Sequence, residues 1–553
     1  MKLNRRGALA LLGGGAAAAT AASSARASQK ISFQHGVASG DPMQDGVVIW
    51  TRLTPADPKA ERASANYVVT TANGKRVQNG RVFTSAARDF TAKVELTGLE
   101  PGREYLYWFE NGGVKSPIAR TRTLPSGHID DLVLAVASCA LWTGGYYNAY
   151  QAIADQHRVD AVLHLGDYIY EYGMDGYGGE IGAKIGRTVD PTHEILTLAD
   201  YRRRHAQAKS DPMLQAAHAR APWIVVWDDH EVANDDWMGG AENHQPNEGL
   251  WSDRKAAALR AWYEWMPIRD PKPGRPFEAI NRSFQFGDLA TLIMLETRLT
   301  ARTHQLDYAT DMVVDGKPDP QAFMGKYLDP SRTMMGPAQE AWLADQLKAS
   351  VASGHRWQVL GNQVVMARVV MPDVSKKMTA EAYGQLMANL PADVRAIASQ
   401  APAIAAAGLP YDLDAWDGYP AARERVYGMF KAANATPVVV SGDSHAFWAN
   451  DLHDAAGQRV AAEFGTAGIT SPGIADILVG APINEAFEER NKEVLYTDHG
   501  AKGFVLLTLT REAATADIVG VSTVYAPKAE TKVLKRFRVE PAANGVGAVT
   551  EIS

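Results

Sequence analysis

The spacing of apolar and polar positions changes near Pro125. Upstream, from about Ile31, short runs alternate and are broken by turn residues. Examples are Val47-Val48-Ile49-Trp50-Thr51, Tyr67-Val68-Val69-Thr70-Thr71 followed by Asn73-Gly74, and residues 90–96. Alternation punctuated by Asn-Gly predicts antiparallel strands and hairpins. Downstream the runs become continuously apolar, at residues 132–137, 159–165, 223–227, 290–295, 357–360, 436–440 and 504–508. Strands covered on both faces have this look. Helical spacing appears between them, for instance at 146–157, 250–265 and 337–349. Strands separated by helices predict an α/β body over residues 126–527. Residues 376–432 are rich in Ala and Met and read as a helical insertion, and residues 528–553 read as a polar C-terminal tail.

The front segment, residues 28–125, has a further local mark. Leu99-Glu100-Pro101-Gly102 feeds a strand with Tyr105 near its start, which resembles the tyrosine corner of fibronectin type III-like sandwiches. A β-sandwich that packs or positions is predicted there, with no constellation of catalytic side chains.

Composition narrows the classes. Of 553 residues, 46% are hydrophobic and 22% charged, an ordinary globular balance. Lys and Arg total 56 against 63 Asp and Glu, a net charge of −7, so no nucleic-acid partner is expected. A single cysteine excludes an intrachain disulfide framework and a multi-cysteine zinc site. Residues 1–27 read as an export leader. Lys2, Arg5 and Arg6 precede a weakly hydrophobic Ala/Leu/Gly stretch, and Ala25-Arg26-Ala27 fits a cleavage site. The paired arginines favour the twin-arginine machinery as the export partner. The apolar stretch falls short of the roughly 20 residues of a membrane span, so no stable span is expected after cleavage. Removing the leader takes away four basic residues and no acid, which lowers the charge from −7 to −11. The expected location is periplasmic or secreted, from a bacterium.

Candidate chemistry falls where strands end, which is where open α/β sheets bind ligands. Ser138-Cys139 follows the first body strand, and Gly166-Asp167-Tyr168-Ile169-Tyr170-Glu171 the second. Asp228-Asp229-His230-Glu231 and Asn234-Asp235-Asp236 follow the third, and Ser441-Gly442-Asp443-Ser444-His445 a later one. Each piece alone has a plain alternative. Gly166-Asp167 fits a helix cap, the Asp228 run fits a solvated loop, and Ser444-His445 fits a serine hydrolase pair. Together they point to a dinuclear metal centre, because buried carboxylates are costly unless paired or bound to a cation.

The order Gly-Asp, Asp-His-Glu, Gly-Asp-x-His resembles the calcineurin-like metallophosphoesterase layout. Ala137-Ser138-Cys139, His164 to Glu171, Trp227 to Glu231, Asp417-Gly418-Tyr419 and Ser441 to His445 resemble, within it, the alkaline phosphatase D (PhoD-like) family. Gly36-Val37-Ala38-Ser39-Gly40-Asp41-Pro42 and Trp50-Thr51-Arg52-Leu53 fit the same family in the front domain. The resemblance covers nearly the whole mature chain. It implies an αββα sandwich preceded by the fibronectin-like domain, and a ferric iron beside calcium. Cys139, Asp167, Tyr170 and His445 would hold Fe3+, and such an anionic donor set suits a trivalent cation. Asp167, Asp229, Asn234 and Asp443 offer hard oxygens for Ca2+, with Asp167 bridging and Asp228 as the second candidate beside Asp229. His230 resembles the histidine placed next to the phosphate. Glu296-Thr297-Arg298 stands where the family has Asp-Thr-Arg, which makes Arg298 a candidate substrate-binding group. The implied function is hydrolysis of small phosphate mono- or diesters, by attack of a metal-held hydroxide or oxide at phosphorus. The rival readings are a phospholipase D-type phosphodiesterase on the same site and a catalytically degenerate envelope binding protein. The resemblance also implies a C-terminal lid, for which the last residues show no recognisable segment.

Overall fold

The computed structural model describes residues 30–314, 317–543 and 545–553; the expected leader lies outside them. Two large sheets face each other across an apolar core, and helices cover their outer faces. The result is the expected αββα sandwich. The first sheet has ten strands. At its centre Asp131–Ala137, Ala161–His164 and Trp223–Val225 run parallel, and Lys502–Thr510 pairs antiparallel with Asp131–Ala137. The second has seven strands, with Ala290–Met294, Trp357–Gly361, Pro437–Ser441 and Arg459–Gly465 parallel.

The continuous apolar runs follow from burial on both faces. In Asp131–Ala137, Leu134 and Val136 face the inter-sheet core with Leu163, Met294, Val359 and Val440. Ala135 and Ala137, between them in sequence, face a second core. That core is completed by Tyr150 and Ile153 of helix Asn148–Ala154, Leu214 of Pro212–Arg220, and Leu259 and Trp262 of Trp251–Trp265. A third core covers the outer face of the other sheet. Leu343 and Leu347 of Gly336–Ala352 and Val426 and Phe430 of Pro420–Ala433 supply it. One of these helix starts is capped by a side chain: Asp211 accepts from the N–H groups of Met213 and Leu214, with Pro212 in the first turn.

Two expectations change. The front segment is a sandwich, and Tyr105 does make its corner, with its hydroxyl 2.8 Å from the Glu100 N–H. Its core joins Ile49 and Leu96 to Val69, Tyr107 and Phe109. Only one of its two sheets is its own, however. Val37–Gly40, Val47–Arg52 and Thr91–Leu96 extend the ten-stranded body sheet, joined to it through the pair Gly40–Trp223. The second correction concerns the tail after residue 527. Thr531–Val539 pairs along its length with Ala514–Val521, and Thr550–Glu551 pairs with it in turn, so this stretch finishes the sheet edge. Its polar look comes from an edge strand that is exposed over its first half.

The insertion is helical as expected, through Ala380–Asn389, Ala392–Ala398 and Ala401–Ala407. Among the described residues no helix is long and apolar enough to cross a membrane.

Candidate metal centre

Four loops meet beyond the carboxyl ends of the strands. Their close approach depends on two glycines. Gly166 has φ +119°, and a Cβ there would lie 2.3 Å from the Asp228 nitrogen; at Gly442 it would lie 2.5 Å from Ser138 Oγ. The residues that follow turn sharply. Cys139, Asp167, Asp443 and His445 all have left-handed backbones, with φ of 60°, 56°, 63° and 57°. For side-chain-bearing residues this conformation costs of order 1–3 kcal/mol each. Its recurrence at four candidate ligands aims those side chains at one point.

The first cluster contains Cys139, Asp167 and His445, whose ligand atoms lie within 4.8 Å of one another. Tyr170 completes it. Its hydroxyl donates to Asp167 Oδ2 at 3.0 Å, sits 3.2 Å from His445 Nε2, and accepts from Ser471 Oγ at 2.7 Å. His445 Nδ1 lies 2.7 Å from the Pro472 carbonyl. A carbonyl only accepts, so Nδ1 carries the proton and Nε2 turns its lone pair to the cluster. Burial holds this imidazole neutral, its pKa pushed down to about 3. Burial also pushes the Cys139 thiol well up, and Asp167 and Asp443 add to it. Only a strong nearby cation would make that sulfur a thiolate. No hydrogen bond joins Ser444 to this histidine among the described residues: Ser444 Oγ accepts from Trp448 Nε1 at 2.8 Å while His445 Nδ1 faces Pro472.

The second cluster is Asp167, Asp228, Asp229 and Asp443, again within 4.8 Å. Asp167 belongs to both clusters, as a bridging carboxylate must. Burial pushes Asp167 and Asp443 well above the ordinary carboxylate range, and the neighbouring carboxylates reinforce this. Asp167 Oδ1 and Asp229 Oδ1 are buried without a hydrogen-bond partner. Orphaned carboxylate oxygens in a shared acidic pocket fit a cation pair, because leaving them empty costs several kcal/mol. Asp228 is instead tied to Arg298 Nε, at 2.5 Å. Asp229 is the one of the two with a buried oxygen that has no hydrogen-bond partner. Asn234 lines the cavity over the cluster beside His230.

Arg298 stands elsewhere than expected for a substrate-binding group. Its side chain is 0% exposed, with Nη1 2.6 Å from Asp414 and Nη2 3.5–3.6 Å from Asp443 and Asp229. A guanidinium so enclosed balances the acids, and it does not line the cavity.

His230 Nδ1 sits 2.7 Å from Glu171 Oε2, and its ring centroid lies 4.1 Å from that of Tyr170, tilted by 32°. Burial opposes its charge, but Asp229, Glu171 and Asp167 overcome that and hold it well above the usual histidine range. Glu171 also accepts the Asn234 N–H at 2.7 Å and the Asn243 amide at 2.8 Å. It therefore fixes both the imidazole and the Asn234 loop. Glu171→Gln is expected to lower kcat by about 10–100-fold, the usual effect of losing such an orienting partner. KM should change little, and steady-state kinetics with circular dichroism as a folding control would check this.

Sequence reasoning placed Glu171 and Glu231 inside the candidate runs without a role for either, and missed Asp414 and Ser471. Glu231 accepts the N–H groups of Asp167, Tyr168 and Asp228, at 2.9, 2.7 and 2.9 Å, and so ties two ligand loops together. The signal for the two glutamates was their place at the ends of those runs; Asp414 and Ser471 had none.

Acids, a thiol and imidazoles converge beyond two face-to-face sheets, and this architecture is that of the calcineurin-like metallophosphoesterases. The chain belongs to the PhoD-like phosphatase family: residues 134–518 match that family and residues 17–125 match its N-terminal domain. It is 35% identical over 535 residues to alkaline phosphatase D of Bacillus subtilis (strain 168), covering 94% of this chain and 82% of that protein. A solved structure described as that of PhoD superposes with a TM-score of 0.76 at 33% identity, over 94% of this chain and 92% of its own. The chain is thus an alkaline phosphatase D-like phosphoric ester hydrolase.

Proposed function

We propose that this enzyme is exported, depends on Fe3+ and Ca2+, and hydrolyses small phosphate mono- or diesters. The observation that carries the metal reading is the bridging position of Asp167, shared by both clusters with one oxygen left unpartnered. Cys139, Asp167, Tyr170 and His445 would hold the iron, and Asp167, Asp229, Asn234 and Asp443 the calcium. Bound there, the cations would supply Lewis acidity and neutralise the phosphoryl oxygens. The chain's own residues do the rest. His230, at the floor of the cavity and held through Nδ1 by Glu171, is placed to donate a proton to a phosphoryl or leaving-group oxygen. Glu171 holds its ring in place. Tyr177, 3.2 Å from His445 Nδ1 and also bonded to the Pro472 carbonyl, braces the loop that presents His445. Export rests on the leader pattern of residues 1–27.

Elemental analysis of the purified protein alongside Cys139→Ala tests the assignment. The variant is expected to lose its iron and most of its activity while staying folded. Full iron and full activity in the variant would overturn it, and wild-type protein with neither iron nor calcium would sink the metal reading.

A further inference from the structure

Helix Leu198–Ser210 supplies no candidate ligand and does not line the cavity above the two clusters. Its sequence is mostly polar, with Arg202, Arg203 and Arg204 in a row. Even so, Tyr201, Arg204, His205, Ala208 and Lys209 are buried, and their spacing of three or four residues puts them on one face. That face meets the ligand loops. The Tyr201 hydroxyl donates to the Val232 carbonyl at 2.6 Å, inside the loop of residues 229–234. The Arg204 guanidinium donates to the carbonyls of Tyr170 and Tyr172, on either side of Glu171, and to those of Pro191 and His193. Lys209 Nζ lies 3.0 Å from His218 Nε2, which is 2.8 Å from the hydroxyl of Tyr168, the neighbour of Asp167. A capping box between Thr197 and Asp200 fixes where the helix begins.

Packing alone does not call for such groups. Arg204 is 3% exposed, and its Nε has no partner. Every hydrogen bond it makes among the described residues goes to a main-chain carbonyl. A buried cation hydrogen-bonded to no carboxylate is costly, and an apolar chain of similar length fills the same space without that cost. The loops, in contrast, need holding. Asp167 has a left-handed backbone, and such strain persists only where its surroundings enforce it. Ionised Asp167 and Asp229 also repel each other across the site.

We propose that Tyr201 and Arg204 are positioning residues for the metal centre. From one helix face they hold the loop of Asp167 and Tyr170 and the loop of Asp229 and Asn234 at the spacing the cations require. The inference rests on the metal reading above and adds the element that preorganises it. The effect of both residues passes through the main chain of the loops. Donors already in place reduce the ordering that binding must supply, so the cations are held more tightly.

Titration of the iron- and calcium-loaded full chain with a calcium chelator tests this, with retained calcium read by elemental analysis well below the melting temperature. Arg204→Met keeps the length of the side chain and removes its grip on the carbonyls. The chelator concentration that strips half of its calcium is expected to fall by about 10–100-fold, the usual effect of losing an orienting partner. Its kcat should fall as well, with KM little changed. Tyr201→Phe removes a single hydroxyl, and its expected shift is about 2–10-fold, the worth of one hydrogen bond. Arg202→Met is the control. Arg202 stands on the same helix but pairs with Glu264 at 2.7 Å and donates to the Ala87 carbonyl. This variant should melt earlier and keep the wild-type chelator midpoint. A wild-type midpoint in Arg204→Met or in Tyr201→Phe removes that residue from the role, and in both overturns it. An equal shift in Arg202→Met also overturns it, because the effect is then a general loosening of the helix. Should Arg204→Met not fold, Tyr201→Phe decides alone. Wild-type protein that holds no metal and keeps full activity in chelator overturns the metal reading and the inference together. Wild-type protein that loses calcium and activity, beside variants that lose them identically, overturns the inference only.

Discussion

Asp167→Asn should lower phosphatase activity by at least about 10³-fold, the scale of losing several kcal/mol of transition-state charge stabilisation. An amide matches the carboxylate in shape and still accepts from Tyr170, whose hydroxyl lies 3.0 Å from Oδ2. It cannot bring a negative oxygen to both clusters at once, and Asp167 is the residue they share. Stability should move the other way in metal-free protein. Asp167 is buried among like charges, so neutralising it relieves repulsion, and the backbone N–H that Glu231 holds is untouched. The metal-free variant should melt at or above the wild type, while the rise in melting temperature on adding iron and calcium disappears. Scanning calorimetry with and without metals reads both. A variant that keeps its metal-dependent rise would remove Asp167 from the bridging role.

Arg298→Ala is expected to cost about 3–5 kcal/mol of folding free energy, the usual penalty for breaking a buried ion pair from one side. The guanidinium is fully enclosed and faces Asp228, Asp229, Asp414 and Asp443. Its removal leaves those acids buried with the Arg302–Asp414 pair as the remaining contact of this kind. Adding Asp228→Asn to the variant should recover part of the loss, because Asp228 is then no longer a charge without a counter-ion. Urea unfolding of the single and double variants measures this. A loss under about 1 kcal/mol would mean that the arginine is solvated in solution and free to meet a ligand.

Much of the site was legible because its ligands end buried strands. Those strands are mostly apolar, so the chemistry-bearing residues just past their ends stand out, as Cys139, Asp167 and Asp443 do. The alternation of cores explains the rest of the legible fold. The network around Arg298 was not legible, because Asp414 lies in an irregular loop far along the chain from any such corner. Nor did periodicity tell which strand neighbours which. Residues 47–50 are all buried, and that full burial is what a central strand shows. Val-Val-Ile-Trp is apolar throughout, a hint that Val47–Arg52 belongs inside a covered sheet. At the C-terminus, polar character reads as a tail because a strand near the sheet edge and a tail share composition and differ only in pairing.

The place of Lys502–Thr510 has a bearing on when the protein becomes an enzyme. This strand comes from the last tenth of the chain and lies against Asp131–Ala137, the strand that delivers Cys139. Gly468, whose carbonyl meets the Gly503 N–H at 3.3 Å, is paired in turn with Ser138. Until synthesis passes residue 510, the sheet lacks a central member and the cysteine corner lacks its support. Contacts this distant in sequence form late and slowly. Metal capture therefore belongs to the finished chain and not to the nascent one. A protein cut short near residue 500 would carry every candidate ligand in its sequence and still assemble no centre.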